Sequence, residues 1–204
     1  MPAKSYLEEK QQYNGLDFAD FFKKVTDDDI LRVLVKDKIT RMDFLKLLSP
    51  IAQKHLEEMA QRSRRDTIRN FGYTMQLFTP MYIADYCDNF CVYCGFNHNN
   101  NINRRCLTMD EIAKEAENIA QTGLKNILVL TGESIKYSPV DYILEAVKVL
   151  RKYFDSVSIE VYSFSQEDYV RAVEAGVDGM TMFQECYNKD IYRTLHPGGP
   201  KANY

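Results

Sequence analysis

The chain of 204 residues lacks an excess of charge of either sign: 26 lysines and arginines stand against 29 aspartates and glutamates, a formal net charge of −3. Without a strongly basic face nothing is available to neutralise a phosphate backbone, which excludes nucleic acid as an expected partner. No apolar run is long enough to span a bilayer. The opening MPAKSYLEEKQQY has no apolar stretch of the kind a secretory signal requires. Repeats, low-complexity tracts and glycine- or serine-rich linkers are also missing. These absences predict a cytoplasmic protein with no membrane among its partners. Its five cysteines are then expected to be reduced or metal-bound rather than paired in disulfides. What remains, 45% hydrophobic and 27% charged residues, is an ordinary globular composition for one domain, or one domain with a helical appendage.

The first third reads as helical. A polar tail reaches about Gly15, and Phe18, Phe21 and Phe22 follow at helical spacing. Thr26 before Asp27, Asp28 and Asp29 reads as an N-cap with an acidic first turn. Thr40 caps a short helix through Phe44 and Leu47, and Ser49-Pro50 opens a helix to about Asn70, with Gly72 as its stop. From about residue 76 the pattern changes to β-rich runs alternating with capped amphipathic segments. Strands are expected at 81–86, 127–130, 157–161 and 179–185. Helices open at Thr108, where Glu111 completes a capping box, at Ser138-Pro139, at Ser165 and at Asn188. The run Ile127-Leu128-Val129-Leu130 suits a strand buried on both faces. Four strand-then-helix units predict an α/β fold with parallel strands and right-handed crossovers. The expected division is an N-terminal helical segment over 1–75 and an α/β domain over 76–204.

Three of the five cysteines fall within eight residues, in Cys87-Asp-Asn-Phe-Cys91-Val-Tyr-Cys94-Gly, directly after the first strand. Three thiolates from one short loop can each bind one iron of a four-iron cluster, leaving the fourth iron open to a small molecule. Tyr93 is placed to flank that ligand, Asp88 and Asn89 favour a loop, and Gly95 lets the backbone curl closely. Two plainer readings compete. The spacing is also one face of a helix with inert, buried thiols, although strand signals precede it and turn residues lie within it. Alternatively, His98 is the fourth ligand of a structural Cys3His zinc site.

CxxxCxxC with an aromatic residue before the last cysteine resembles the signature of radical S-adenosylmethionine enzymes. The longer stretch Tyr86-Cys-Asp-Asn-Phe-Cys-Val-Tyr-Cys-Gly-Phe-Asn-His-Asn-Asn100 is similar to the 2-iminoacetate synthase family, the tyrosine lyases of thiamine thiazole synthesis. Further likenesses follow in order: Leu128-Val-Leu-Thr-Gly-Glu-Ser134, Ser158-Ile-Glu-Val161, Gly176-Val-Asp-Gly179, Phe183-Gln-Glu185 and His196-Pro-Gly-Gly-Pro-Lys201. The resemblance implies a 4Fe-4S cluster on Cys87, Cys91 and Cys94 with S-adenosylmethionine on its open iron. It implies a 5′-deoxyadenosyl radical that attacks L-tyrosine, whose Cα–Cβ bond breaks to 2-iminoacetate (dehydroglycine) and 4-cresol. An electron donor of flavodoxin or ferredoxin type, and a thiazole synthase subunit, are the partners it implies. The sister tyrosine lyase of iron–iron hydrogenase maturation is the nearest alternative; Asn97-His98-Asn99-Asn100 favours the thiamine enzyme, the sister being more basic there. A non-catalytic metal-binding module, with zinc or a structural cluster, is an alternative of another class.

The resemblance also places cofactor-binding residues. Thr131-Gly132-Glu133 matches the family's Gly-Gly-Glu contact to the methionine ammonium, with threonine for the first glycine; the plain reading is a solvated turn. Glu160 stands in an otherwise apolar strand, with Ser158 and Tyr162 on its face, so it either enters a pocket or faces water at an edge. Gln184 and Glu185 are expected at the end of the fourth strand, at the rim of the same site. His196-Pro-Gly-Gly-Pro-Lys201 reads as a turn-rich loop, His98 as shaping the cluster loop, His55 as solvent-exposed, and Cys106 and Cys186 as spare thiols. Only four strand–helix units follow the helical segment, against the eight of a closed barrel. The expectation is therefore a fragment: the first, open half of a radical S-adenosylmethionine (β/α) barrel, with too little of the pocket wall to cleave tyrosine alone.

Overall fold

The computed structural model describes residues 5–204, and the chain divides into two compact units, Met1–Thr74 and Met75–Tyr204. The first unit is helical. Helices α1 (Tyr6–Gln11), α2 (Phe18–Lys24), α3 (Asp27–Leu34), α4 (Arg41–Leu47) and α5 (Leu56–Phe71) are joined by short turns, with a 3-10 stretch over Pro50–His55. Capping boxes open three of them: Ser5 with Glu8, Thr26 with Asp29 and Thr40 with Asp43. The first of these turns part of the expected polar tail into α1; residues 1–4 of that tail lie outside the described residues.

Two expectations in this unit are corrected. Ser49 makes no side-chain cap; its hydroxyl donates instead to the Lys46 carbonyl at 2.6 Å, so Pro50 starts a 3-10 turn and α5 begins only at Leu56. His55 is not solvent-exposed: its side chain is 14% accessible, with Nε2 3.1 Å from Asp27 Oδ1. Val25, Ile30, Leu34 and Ala52 form the core of the unit, and the buried Arg62 donates to the Val33 and Leu34 carbonyls at the end of α3.

The second unit is an open sheet of four parallel strands in the order β1-β2-β3-β4: β1 (Phe78–Ala84), β2 (Asn126–Thr131), β3 (Ser156–Glu160) and β4 (Gly179–Thr181). Helices α6 (Met109–Ala120), α7 (Val140–Leu150) and α8 (Gln166–Ala175) make the crossovers, and α9 (Lys189–Leu195) follows β4. Alternate residues Met81, Ile83, Ile127, Val129, Val157 and Ile159 bury one face of the sheet against Ile112, Ile143, Val147 and Leu150 of the helices. The other face is only half-buried. This corrects the reading of β2 as enclosed on both sides, since Leu128 and Leu130 lie on the uncovered face.

β1 starts three residues earlier than expected, because Pro80 is tolerated on an edge strand. β4 is shorter than expected: after Thr181 the chain leaves the sheet, so Gln184 and Glu185 lie on a loop rather than on the strand. Ser138 is not the cap of α7; its hydroxyl donates to the Gly132 and Ser134 carbonyls and Pro139 takes the cap position.

The end of β1 sets up the site. Its register with β2 shifts between Tyr82 and Ala84, and a returning segment bridges Ala84 to Cys106 in antiparallel fashion. The Tyr142 hydroxyl ties the two together by donating to the Ile83 carbonyl at 2.9 Å and the Leu107 carbonyl at 2.7 Å. Replacing Tyr142 by Phe is expected to lower the stability of this unit by about 1–2 kcal/mol. Urea unfolding of the two proteins measures the difference, and equal midpoints would show that the hydroxyl carries no net stabilisation.

Candidate functional site

The cysteine loop leaves β1 at the C-terminal edge of the sheet, and four sets of hydrogen bonds fix its path. The first is with the turn after β2. Gly132 N donates to the Ala84 carbonyl at 2.9 Å, and Asp88 N donates to the Glu133 carbonyl at 2.8 Å. Gly132 is required here by crowding: a Cβ would collide with the Tyr86 carbonyl and press on Cys87 Cβ. The close approach it permits is therefore to the cysteine loop itself.

The second set centres on Asn89, which is 2% exposed. Its Nδ2 donates to Glu133 Oε2 at 2.7 Å and lies 3.6 Å from Cys87 Sγ, while its Oδ1 accepts from Lys201 N at 2.7 Å. The third is the segment after α9, which straps the loop from the other side. Val92 N donates to the Leu195 carbonyl at 3.0 Å and Phe90 N to the Gly198 carbonyl at 3.2 Å. Gly199 has φ +84, and a Cβ there would run into Asp88 and Asn89. The fourth is Arg104, whose guanidinium donates to the carbonyls of Asp85, Phe96 and Asn97 at 2.7, 3.1 and 2.7 Å. Gly95 needs no such explanation, since a Cβ there would meet nothing within 4 Å.

Beside the loop is a cavity of about 390 Å³. Cys87, Cys91, Cys94, Tyr93, Gly132, Glu133, Glu160 and Gln184, the residues singled out from the sequence, all line it. The alternation in β3 puts Ser158 and Glu160 on the face away from the helices, which is how a carboxylate in an apolar strand escapes the core. A larger cavity of about 670 Å³ runs along the free edge of β1 beside α6; it is lined by Asp85, Arg105, Glu111 and Lys114 among others and holds no cysteine.

The electrostatics of the smaller cavity are mixed. Burial pushes the Cys91 thiol up, and the positive charge of Lys201 acts in the opposite sense. Burial, and then the Glu185 carboxylate, raise the Tyr93 hydroxyl, which stays a proton donor. Lys201 and Glu185 form an ion pair on the cavity wall. Burial disfavours charge on both, and their mutual contact outweighs it, holding Glu185 below and Lys201 above the usual ranges.

Lys201 and His196 were legible only as parts of a turn-rich loop. His196 is in fact buried behind Tyr93, with Nε2 2.7 Å from its hydroxyl. His98 Nδ1 lies 3.3 Å from the Cys87 carbonyl, and its ring packs near Phe90, in keeping with a loop-shaping role. Cys106 and Cys186 lie outside this cavity and donate to the carbonyls of Tyr137 and Asn188. Among the described residues no three His, Cys, Asp or Glu side chains are gathered about a point where one metal ion would sit. A cluster asks for a different arrangement, one thiolate to each of three irons, with room beside them. Three thiols on one braced loop at the wall of one cavity fit it.

The chain is 35% identical over 176 residues to the 2-iminoacetate synthase of Escherichia coli (strain K12), covering 86% of this chain and 47% of that protein. Identity to the 2-iminoacetate synthase of Salmonella typhimurium (strain LT2) is 36% over the same lengths. The chain thus spans about half the length of the curated relatives it matches. The crystal structure of HydG, a maturase of the FeFe-hydrogenase, superimposes with a TM-score of 0.87 at 29% identity, covering 97% of this chain and 44% of that one. The four-stranded α/β unit is therefore similar to part of a radical SAM barrel. Members of the radical SAM superfamily use a 4Fe-4S cluster and S-adenosylmethionine. Residues 81–204, which contain the cysteine loop and every residue lining the cavity beside it, match that superfamily, and the chain belongs to it.

Proposed function

We propose that this chain carries the cluster- and cofactor-binding half of a tyrosine lyase of the 2-iminoacetate synthase type, which cleaves the Cα–Cβ bond of L-tyrosine to 2-iminoacetate and 4-cresol. The observation that carries the reading is the meeting of the three-cysteine loop, Glu133 of the turn after β2 and Glu160 at the end of β3 at one cavity. Cys87, Cys91 and Cys94 would each hold one iron. When bound and reduced, the cluster supplies the electron that cleaves S-adenosylmethionine.

The protein's own part is positioning. Glu133 has one oxygen tied to Asn89 Nδ2, which fixes the carboxylate at the wall of the cavity. There it would accept from the cofactor's ammonium by a charge-assisted hydrogen bond. Gly132 keeps the turn after β2 tight against the loop, and Tyr93, Glu160 and Gln184 complete the proposed binding wall. Tyrosine as substrate rests on the 2-iminoacetate synthases being the relatives at 35% and 36% identity. A role like that of HydG is the second reading, favoured by the TM-score of 0.87. The proposed setting is the cytoplasm, with a flavodoxin- or ferredoxin-type donor and a thiazole synthase subunit as partners. Among the described residues no helix is long and apolar enough to cross a membrane.

Three outcomes test this. Anaerobic reconstitution with iron and sulfide should give thiolate-to-iron absorbance. Alanine at Cys87, Cys91 or Cys94 should remove it, whereas alanine at Cys106 or Cys186 should not; zinc in place of iron, or loss in the Cys106 variant alone, would overturn the ligand assignment. Glu133→Gln should retain the iron and weaken S-adenosylmethionine binding by about 10-fold or more. Unchanged affinity in equilibrium dialysis would return Glu133 to a scaffold role. Finally, among the described residues no further strand pairs with the outer edges of β1 and β4 beyond the bridge from Ala84 to Cys106, and the cavity is walled by the ends of this one sheet, the cysteine loop and the segment after α9. The 204-residue chain with S-adenosylmethionine, dithionite and tyrosine is therefore expected to give only trace 4-cresol, and more once the C-terminal half of a 2-iminoacetate synthase is added. Stoichiometric 4-cresol from the chain alone would refute the need for a second half, and none in either mixture would refute the lyase reading.

A further inference from the structure

His196 is the largest polar side chain of the described residues that is almost wholly buried, at 1% exposure. Both of its ring nitrogens are used. Nδ1 lies 2.9 Å from the Tyr192 carbonyl, which can only accept, so Nδ1 carries the hydrogen. The other nitrogen, Nε2, lies 2.7 Å from the Tyr93 hydroxyl and 3.9 Å from Glu185 Oε2; in the tautomer with its hydrogen on Nδ1 it accepts from that hydroxyl. The imidazole is held between two aromatic rings: Tyr192 stacks on it at 4.0 Å between centroids, and Tyr93 meets it edge-on at 5.5 Å. A histidine satisfied in this way would be unremarkable inside a core. This one spends its second nitrogen on a residue between two of the three clustered cysteines, 103 positions away in sequence.

We infer that His196 is a positioning residue of the cofactor cavity: by accepting from the Tyr93 hydroxyl it fixes the Tyr93 ring as a wall of the cavity beside Cys91 and Cys94. Tyr93 is 52% exposed, so packing alone does not immobilise its ring. With the hydroxyl held at His196, beside the Glu185 carboxylate, the ring offers its apolar surface to the cavity. Free of this bond, the ring would sample other rotamers about its two side-chain torsions and give up part of the wall. His196 is itself anchored, because the backbone of its segment is fastened to the same loop through Val92 N to the Leu195 carbonyl. The inference rests on the reading of this cavity as the S-adenosylmethionine site.

The test uses the reconstituted 204-residue chain and three variants. Tyr93→Phe keeps the ring and removes the donor, and with it the hydroxyl's contacts to Glu185 and Cys91. His196→Asn keeps a donor near the Nδ1 position and has nothing at Nε2. His196→Gln places a carbonyl oxygen near the Nε2 position. Iron and sulfide content should match wild type in all three, and the reduced-cluster EPR signal without cofactor should match wild type in the two His196 variants. Tyr93→Phe and His196→Asn should each raise the S-adenosylmethionine Kd by about 3–10-fold, the worth of one neutral hydrogen bond. The two should alter the cofactor-dependent EPR shift in the same way, and the double variant should be no worse than either single one. His196→Gln should recover binding to within about 2-fold of wild type. Wild-type affinity in Tyr93→Phe, or additive losses in the double variant, would overturn the proposal while leaving the cavity reading intact. A wild-type chain that builds its cluster but binds no S-adenosylmethionine would overturn the cavity reading, and this proposal with it.

Discussion

The geometry of the site depends on one buried carboxamide. Asn89 reaches the Glu133 carboxylate and Cys87 with its amide nitrogen, and receives Lys201 N on its oxygen. It thereby joins three stretches that lie far apart in sequence: the cysteine loop, the turn after β2 and the strap after α9. A buried amide with unmet partners would be costly, so the three stretches are held at the distances that satisfy it. No apolar residue of similar size could do the same, because donor and acceptor are needed on opposite sides of one side chain.

The sheet supplies what the amide joins. Parallel strands deliver their C-terminal ends to one edge, and the turn after β2, the end of β3 and the loop after β4 all meet there. The irregularity at Tyr82–Ala84 releases the chain from β1 in time for Cys87 to turn toward that edge. Polar groups that would be penalised within the helix-covered face, such as Glu160, are admitted because the opposite face is uncovered.

Much of this was legible from the sequence, and the limits are instructive. The caps at Thr26, Thr40, Thr108, Ser165 and Asn188 hold, because a side-chain oxygen three residues before a free amide is a local signal. Ser49 and Ser138 carry the same signal and make no cap, each with its hydroxyl rotated back to donate to a carbonyl earlier in the chain. The cysteine spacing marked the loop, and alternation marked the outward face of β3. The roles of Asn89, Arg104 and His196 were not legible: their partners lie on other elements or act through backbone carbonyls, which leave no residue pattern. By residue type alone Asn89 is a turn former and His196 opens a turn-rich His-Pro-Gly-Gly-Pro stretch. The apolar run Ile127-Leu128-Val129-Leu130 leaves Leu128 and Leu130 half-buried for a related reason, since hydrophobicity does not report whether a second layer is present to cover a strand's other face.

The strap over the cysteine loop has a consequence for the order in which the protein can be built. Asn89 awaits Lys201, 112 residues downstream, and Tyr93 awaits His196, 103 downstream. Contacts of such separation close late, after the strands and helices between them are in place. During synthesis the three thiols therefore emerge, and stay reachable, well before the segment that braces their loop has been made. A metal ion captured early would meet an unbraced loop, and one captured late a shaped one.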